Sequence, residues 1–587
     1  MRNILAVTAA VGLSLAASGQ QVKVESFTLD NGMEFLLVPR KDQPNNIAAG
    51  WLARVGSVNE RPGITGISHF FEHMMFKGTQ TIGTKDAEKD REFNAKQKEV
   101  RDRLMALTLN TQYKRWKAGE IDDPWDQKND TPDMAKLRSE LKELMDRQLK
   151  ETTVKDEFDR VYTNLGGSGM NAFTSYDLTF YFINVPSNKF ELWAWMESDR
   201  LKDSVFREFY SERDVVHEER RLRTESTPTG RFQEQFDAMF WMSSPYSWPV
   251  IGWTTDLNSY TKEQAMEYFN TYYRPNNLVG IVVGDFEVAE VKPVIQQYFG
   301  RLERGKVEPP PVVTLEAKSL AEQRMYAECD CQPQVEVRYH TVPFNHRDSF
   351  ALDMLSQIMN GRTGRLYKAM IEGKKIASTA STGAGGLGGP NKYAGTFSFE
   401  AETKGEATPQ QVEETFYEVL GDIQKNGVGA QELQKVKNRV AADSFRRLSS
   451  NFFLLVQLGY FEALGGWEYI NEAPGRLQAV TAEDIKRVAN TYFDKTNRSV
   501  AIFTRKAGAP AAEDPDLAGL DDQAKGMVKQ AVAQLGQMKS AADLQQGIAR
   551  LEAASANAPP QIAPAMKVIL KKAKERLEEL NKAGGGT

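Results

Sequence analysis

The stretch His69-Phe70-Phe71-Glu72-His73 decides how the rest of this 587-residue sequence is interpreted. On a helix, residues four apart share one face, so His69 and His73 can direct their rings at one metal ion. Glu72 lies three residues beyond His69 and can reach a water held by that ion without being a ligand itself. The alternative is two surface or capping histidines on an ordinary helix. Because the whole chain has only five histidines, we favour the metal site.

The composition of the chain excludes several classes of protein. Lys and Arg total 74 against 79 Asp and Glu, so the formal net charge is −5 and there is no basic footprint for nucleic acid. After residue 20, no run is apolar for long enough to span a bilayer. We therefore predict no nucleic-acid partner and no membrane span. The length of 587 residues predicts several domains.

The N-terminus has the features of a secretory signal peptide. Arg2 supplies a positive charge, residues 4–17 form a short apolar run, and Ala17-Ser18-Gly19 offers the small residues of a cleavage site. A buried N-terminal helix is the alternative, but the apolar run stops where polar, strand-like sequence begins. We predict that residues 1–19 are removed and that the protein is exported, either to the periplasm or as a secreted protein.

Cys329 and Cys331 are the only cysteines in the chain. A disulfide between residues two apart is strained, and two thiols alone make a poor zinc site. The sequence is therefore not that of a disulfide scaffold. We expect both thiols to be reduced.

Residues 85–155 differ in composition from the sequence on either side. Segments 85–107 and 134–150 are dense in Lys, Arg, Asp and Glu with sparse apolar residues, which predicts two solvent-facing helices. Pro124 and Pro132 lie in the irregular stretch that joins them. We predict a charged helical insertion, for which a steric role is the simplest interpretation.

Three consecutive prolines at residues 309–311 mark a semi-rigid connector. We place a linker at residues 306–318, between an N-terminal half over residues 20–305 and a C-terminal half over residues 319–506. Residues 507–587 are rich in Ala, Lys, Glu and Gln, which predicts a helical C-terminal appendage. Four apolar residues of this appendage share one helical face: Ile569, Ala573, Leu577 and Leu580.

The two halves contain a partial repeat. The run from Thr261 to Asn277 resembles the run from Thr481 to Asn497, with matching Thr, Glu, Asn and Tyr at a constant offset of 220 residues (481 − 261). In both copies a capped helix precedes a short apolar strand, which favours duplication over coincidence. We therefore predict two homologous α+β halves, of which only the first carries the His-x-x-Glu-His motif.

A catalytic zinc needs a third protein ligand and an open fourth position. The best candidate region is the charged helical run at residues 211–220, with carboxylates at Glu212, Glu218 and Glu219. Glu212 and Glu219 lie two turns apart on one face, whereas Glu218 points about 100° away from Glu219. Spacing alone does not choose between Glu218 and Glu219. His217 is a further candidate, and a charged surface helix is the alternative.

Several stretches together resemble the M16 metallopeptidases, the pitrilysin-like family, and its mitochondrial-processing-peptidase-like branch (M16B-type). They are residues 69–79, Gly166-Gly167 with residues 171–175, residues 212–219, Gly364-Arg365-Leu366, and residues 480–484. The resemblance covers about residues 25–505, apart from the insertion. His-x-x-Glu-His is the inverzincin order of ligands and base.

The resemblance implies two homologous α/β-sandwich halves (LuxS/MPP-like) that face each other as a clam-shell across a chamber. It also implies zinc-dependent hydrolysis of peptide bonds, with one Zn²⁺ ion per chain and Glu72 as the catalytic residue. Glu219 is implied as the third metal ligand beside His69 and His73. Glu212, seven residues before Glu219, is implied to support the site from outside the ligand shell.

In this family the substrate pairs as an added strand with a sheet edge beside the active site. By resemblance, that edge is formed here by Asn171, Ala172, Phe173 and Thr174, followed by an alternating strand at residues 178–185. An ordinary core strand would be compatible with that role. Because strand addition needs an extended chain, the implied substrates are short or unfolded peptides.

One part of the family pattern is missing from the C-terminal half. Fully active members carry an arginine and, seven residues on, a tyrosine that hold the substrate. Alignment on Arg365 places those positions at Ile371 and Ser378, and no spacing argument supports Tyr393 as a substitute. The resemblance therefore implies a zinc-bearing subunit that works with an M16-like partner supplying the Arg/Tyr pair, as a heterodimer, or as a homodimer. A self-sufficient peptidase and a non-hydrolytic binding or assembly subunit are the alternatives.

Overall fold

A computed structural model describes residues 21–202, 204–385, 389–506, 517, 520, 522–538, 541–556 and 562–584. The signal peptide predicted at residues 1–19 lies outside these described residues. The chain divides into two compact units, one that ends at Thr504 and one that starts at Arg505. Among the described helices, none combines the length and the apolar character that crossing a membrane requires.

The N-terminal half is built on the strands β1 (Glu25–Thr28), β2 (Glu34–Pro39), β3 (Ile47–Ala53), β4 (Ser168–Thr174), β5 (Thr179–Val185) and β6 (Leu278–Gly284). They form one sheet in the order β1-β2-β6-β3-β5-β4. β2 and β6 pair in parallel, and the other neighbours pair antiparallel. β3 and β6 are buried along their whole length, as expected for apolar strands at the centre of a sheet covered on both faces.

The helices of this half are α1 (Ile67–Met74), α2 (Ala87–Leu107), α3 (Tyr113–Lys117), α4 (Pro132–Glu151), α5 (Glu157–Asn164), α6 (Phe190–Lys202), α7 (Phe209–Arg220), α8 (Gly230–Phe240), α9 (Thr254–Ser259), α10 (Lys262–Tyr272) and α11 (Val288–Phe299). The long helices α2 and α4 pack against each other and bury only a few apolar side chains between them, among them Phe93 and Leu137. The charged helical insertion predicted from composition is therefore present as a hairpin.

The C-terminal half contains the strands β7 (Gln323–Cys329), β8 (Gln334–Thr341), β9 (Ala377–Ala384), β10 (Gly395–Thr403) and β11 (Arg498–Arg505). Their order in the sheet is β7-β11-β8-β10-β9. The helices are α12 (Ser349–Met359), α13 (Pro409–Asn426), α14 (Ala430–Arg447), α15 (Asn451–Leu464), α16 (Tyr469–Ala479) and α17 (Ala482–Tyr492). The fold prediction of two α+β halves is confirmed.

The repeat predicted from sequence has a matching local structure in both halves. α10 and α17 each begin with a threonine capping box, at Thr261 and Thr481, and each leads into a strand of its own sheet. The side-chain amide of Asn277 donates to the carbonyl of Tyr272 at 2.9 Å. At the same offset, Asn497 donates to the carbonyl of Tyr492 at 2.7 Å. The shared caps and amide bonds support duplication of one helix–strand unit.

The two halves exchange one helix each. α15 from the C-terminal half packs Leu454, Leu455 and Leu458 against one face of the first sheet, in a cluster with strand residues such as Phe180 and Ile281. In return, α8 from the N-terminal half packs Phe236 against Ala501 and Phe503 of the second sheet. Each half therefore completes its apolar core with a helix from the other half, so the halves depend on each other for burial.

The expectation of two reduced thiols is wrong, because the structure joins Cys329 and Cys331 in a disulfide. The bridge spans the bend between β7 and β8, and Cys329 is buried against Phe236 and Ala501. Spacing alone indicates a strained loop, whereas the bridge depends on the bend of the chain at residues 330–331, which spacing does not describe.

The second unit consists of three described helices, α18 (Asp522–Gln537), α19 (Ala541–Ala556) and α20 (Ala563–Gly584). α20 packs against both of the others. Of the apolar face predicted for this appendage, Ile569 and Ala573 are buried, and Leu577 and Leu580 pack against the same core. The predicted helical appendage is confirmed.

The helix exchange predicts a position-specific effect of a valine in α15. A Cβ at Gly459 would lie 2.9 Å from the buried ring of Phe180, so Gly459→Val should destabilise the protein by about 1–3 kcal/mol through overpacking. At Gly421, in α13, a Cβ meets nothing within 4 Å, so Gly421→Val should have little effect. Thermal unfolding of both variants measures this, and equal midpoints would contradict the proposed packing.

Candidate metal centre

A buried carboxylate fixes the start of the helix that carries the motif. Glu60 accepts the backbone N–H of Gly66 at 2.7 Å and that of Ser68 at 2.8 Å, which satisfies two donors at the N-terminus of α1. Burial raises the pKa of Glu60 to about 8, and the two N–H bonds oppose that shift. Farther along α1, the buried ring of Phe70 contacts that of Phe209 in α7, with centroids 4.9 Å apart. These contacts set the position of α1 against α7.

His69, His73 and Glu219 converge on one point between α1 and α7. One ligand atom from each lies within 4.8 Å of the others, and they are the only such group of three among the described residues. Glu219 Oε2 lies 3.6 Å from His69 Nε2 and 3.3 Å from His73 Nε2. Tetrahedral zinc with bonds of about 2.05 Å requires neighbouring ligand atoms about 3.3 Å apart. The donor types and the two distances from Glu219 to the histidines therefore fit a zinc ion.

The structure separates the candidates that spacing left open at the third position. Glu218 points away from the histidines and pairs with Arg221 at 2.8 Å, with 60% of its side chain exposed. His217 lies on α7 but does not join the converging group. Glu219 is thus the carboxylate of this helix that faces His69 and His73.

Glu212 holds the ring of His73 in a defined orientation. Its Oε1 lies 2.8 Å from His73 Nδ1, and its Oε2 lies 2.5 Å from Lys77 Nζ. A proton on Nδ1 that is donated to Glu212 leaves Nε2 as the nitrogen that faces Glu219. Burial disfavours the charged ring, but Glu212 and Glu219 outweigh it and raise the pKa of His73 to about 9.

His69 has the opposite electrostatic environment. Burial, together with the neighbouring His73, lowers the pKa of His69 to about 4, so its ring is neutral at pH 7. Its Nδ1 is buried and has no hydrogen-bond partner among the residues described. A neutral imidazole with Nε2 directed at a carboxylate and a second imidazole is the form in which histidine binds metal ions.

Glu72 lies beside this group without joining it. Thr174 at the end of β4 donates its hydroxyl to Glu72 Oε2 at 2.7 Å. Burial raises the pKa of Glu72, and the hydroxyl of Thr174 opposes that shift. A half-buried carboxylate in this position can accept a proton from a water molecule and release it again.

The strand that ends beside Glu72 lies at the edge of the sheet. β4 contains Asn171, Ala172, Phe173 and Thr174, and it is paired only with β5. Its register shifts between Ser168 and Asn171, so the regular part of the edge is the part next to Glu72. Because one side of β4 is unpaired within the described sheet, its backbone groups can bind an additional strand.

The positions in the C-terminal half that lack the expected arginine and tyrosine have other surroundings. Ser378, in β9, donates to the carbonyl of Glu402 at 3.4 Å. The backbone N–H of Tyr393 donates to the hydroxyl of Tyr246 at 3.1 Å, and its side chain packs against the apolar cluster that contains Tyr246. Arg365 is engaged by Glu432 and Asp422 in ion pairs at 2.8 Å. These contacts give the residues structural roles.

Sequence reasoning missed three charged side chains that contact this group of residues or hold its neighbours in place. Glu60 is too far from the motif in sequence for a capping rule to find it. Lys77 lies within the stretch that resembles the family, but no sequence signal pairs it with Glu212. Arg223 contacts Glu219 Oε1 at 2.6 Å, and the spacing of four residues on one helical face is a signal that could have identified it.

Two family models match the chain. The model described as Insulinase (Peptidase family M16) matches residues 37–97, which include the His-x-x-Glu-His motif. The model described as Peptidase M16 inactive domain matches residues 259–440.

Similar proteins and structures agree with these matches. Zinc protease PqqE of Helicobacter pylori is 26% identical over 514 residues, which are 86% of this chain and 97% of that protein. A crystal structure of a protease from Helicobacter pylori superposes with a TM-score of 0.66 at 23% identity, over 82% of this chain and 99% of that chain. The periplasmic protease PqqL from Escherichia coli gives 0.61 at 18% identity, over 83% of this chain and 48% of that chain.

The contact between Glu212 and His73 predicts a loss of metal affinity without loss of a ligand. Glu212→Ala should weaken zinc binding about 10–100-fold, because His73 then lacks the acceptor that orients its ring. Glu218→Ala, on the same helix but directed away from the site, should bind zinc like the parent protein. Competition with a fluorescent chelator measures both affinities. Equal affinities for the two variants would show that Glu212 does not orient His73.

Proposed function

Since the chain belongs to the M16 metallopeptidase family, whose relatives here are named zinc proteases, we propose that it is a zinc-dependent endopeptidase for short or unfolded peptides. The observation that carries this proposal is the convergence of His69, His73 and Glu219, with Glu72 held separately beside them. Three donors and one adjacent carboxylate are the parts that metal-assisted hydrolysis needs.

In the proposed site, His69 Nε2, His73 Nε2 and Glu219 Oε2 would hold one zinc ion per chain. When bound, zinc supplies a Lewis acid that polarises the scissile carbonyl and lowers the pKa of a bound water towards about 7. Glu212 keeps His73 in the tautomer that this role requires, through its contact with Nδ1 at 2.8 Å.

Glu72 is the proposed general base and then general acid. It takes a proton from the attacking water and passes it to the leaving amine of the substrate. The hydroxyl of Thr174, 2.7 Å away, fixes one carboxylate oxygen, so the other oxygen is left for this proton transfer.

The proposed substrate site is the free edge of β4 at Asn171, Ala172, Phe173 and Thr174. A peptide that pairs with this edge is extended, and it passes Glu72 because Thr174 contacts that carboxylate. Such pairing supplies main-chain hydrogen bonds that do not depend on sequence, which favours unfolded or short peptides over folded proteins.

We propose that a second chain completes the active unit. Ile371 and Ser378 provide neither the cation nor the phenol of the family's Arg/Tyr pair. The chain spans 48% of the length of PqqL, so that relative contains about as much chain again. An M16-like partner that supplies the pair, or a second copy of this chain, would provide the corresponding part. PqqL is described as periplasmic, which supports the proposed export of this protein.

The alternative function is a non-hydrolytic binding or assembly subunit. The absent Arg/Tyr pair favours it, while the complete set of donors and the base favours hydrolysis. A subunit that only binds peptides would have no use for a half-buried carboxylate held beside His69, His73 and Glu219.

Glu72→Gln tests the proposed chemistry. The variant should lose at least about 100-fold in kcat, because general acid–base catalysis contributes about 10²–10⁴-fold, while it retains one zinc per chain. Cleavage of an unstructured quenched-fluorescence peptide library measures activity, and elemental analysis measures zinc. Glu218→Gln is the matched control, and a chelator should stop cleavage until zinc is returned.

The results of that experiment distinguish the proposal from its alternatives. Zinc loss in Glu72→Gln equal to its activity loss would contradict the role of Glu72 as base. If the zinc-loaded parent protein alone is silent, activity that appears on adding a co-purified M16-like chain supports the two-chain enzyme. Continued silence with that chain supports the binding subunit.

A further inference from the structure

The two oxygens of the Glu219 carboxylate face different partners. Oε2 faces the histidine nitrogens at 3.6 Å and 3.3 Å, as described above. Oε1 faces Arg223, whose Nη1 lies 2.6 Å away. A carboxylate held through one oxygen cannot rotate freely, so its second oxygen stays directed at the histidines.

The backbone that carries Arg223 is anchored, although 74% of the arginine side chain is exposed. α7 ends at Arg220, and the chain continues as a π-helical turn over Arg221–Glu225. The guanidinium of Arg220 is buried, donates to the carbonyl of Gly252 at 2.9 Å, and pairs with both oxygens of Glu234 at 2.6 Å and 2.8 Å. The backbone of Arg223 is therefore held in a fixed turn that begins two residues after Glu219. π-helical turns inside or after α-helices are frequent at functional sites.

We propose that Arg223 is a positioning residue that presents Glu219 to the metal by holding its Oε1. This inference rests on the proposed zinc site. In this proposal, Arg223 is the outer partner of the third ligand, Glu219, just as Glu212 is the outer partner of His73.

Arg223 has a second influence with the opposite sign. Its positive charge lies close enough to lower the pKa of His69 and to oppose the rise in the pKa of Glu72, although burial dominates at both residues. The same charge repels a divalent cation. Orientation of Glu219 strengthens zinc binding, whereas charge repulsion weakens it. Removing Arg223 therefore shows by the sign of the change which effect is larger.

The experiment measures the zinc affinity of the full chain by competition with a fluorescent chelator. Arg223→Gln should bind zinc about 10–100-fold more weakly than the parent, which is the usual effect of removing an outer partner of a ligand. Arg223→Lys should recover part of the affinity, because an ammonium can still donate to Oε1 but without the planar fork. Arg221→Gln is the matched control, since Arg221 is in the same turn but pairs with Glu218 at 2.8 Å.

Each outcome either supports or overturns the positioning role of Arg223. Equal weakening in Arg223→Gln and Arg221→Gln would overturn the proposal, because the loss of affinity would then not depend on the contact with Glu219. Unchanged or tighter binding in Arg223→Gln would also overturn it, because repulsion would then be the larger effect. Thermal unfolding of the metal-free variants should match the parent protein, which separates loss of positioning from loss of folding. A parent protein that binds no zinc would instead refute the proposed function itself.

Discussion

The docking of α1 against α7 is the constraint on which the candidate site depends. His73 and Glu219 are 146 residues apart in sequence (219 − 73), yet their side-chain atoms approach to 3.3 Å. No local rule brings them together. The Phe70–Phe209 contact and the cap that Glu60 forms on α1 hold the two helices in one register. A shift of either helix by one residue would turn a histidine or a glutamate away from the point where His69, His73 and Glu219 converge.

The insertion lies between His73 and Glu219 in the sequence, but it does not disturb the contact between α1 and α7. Its two ends meet, because Thr84 bridges to Thr153 and the N–H of Lys85 donates to the carbonyl of Thr152 at 2.8 Å. The base of the insertion contacts the segment before α7, where the fully buried Arg207 pairs with Asp90 of α2 at 2.9 Å. A long insertion whose two ends lie close together imposes little conformational restraint on the rest of the fold. The hairpin can therefore extend into solvent while α1 and α7 keep their contact.

Sequence reasoning predicted the parts of this protein that have local or repeated signals. The motif identified His69 and His73, composition identified the insertion, and the repeat identified two α+β halves. Spacing could not choose Glu219 over Glu218, because the choice depends on which face of α7 meets α1. The exchange of α8 and α15 has no local signal, since an apolar helix face does not specify which sheet it covers. The expectation of two reduced thiols was wrong because the path of the chain around Cys329 is set by sheet pairing, which spacing alone does not describe.

The seven-residue separation of Glu212 and Glu219 has a direct geometric explanation. It corresponds to about 10.5 Å along α7, or two turns, so both carboxylates emerge on the same face. His73 lies between them and uses both of its nitrogens, Nδ1 towards Glu212 at 2.8 Å and Nε2 towards Glu219 at 3.3 Å. An imidazole that bridges two turns of a neighbouring helix cannot rotate without losing one contact. The same pair of glutamates thus fixes the ring of one proposed ligand and supplies another, and a spacing of six or eight residues would place the second carboxylate on a different face of the helix.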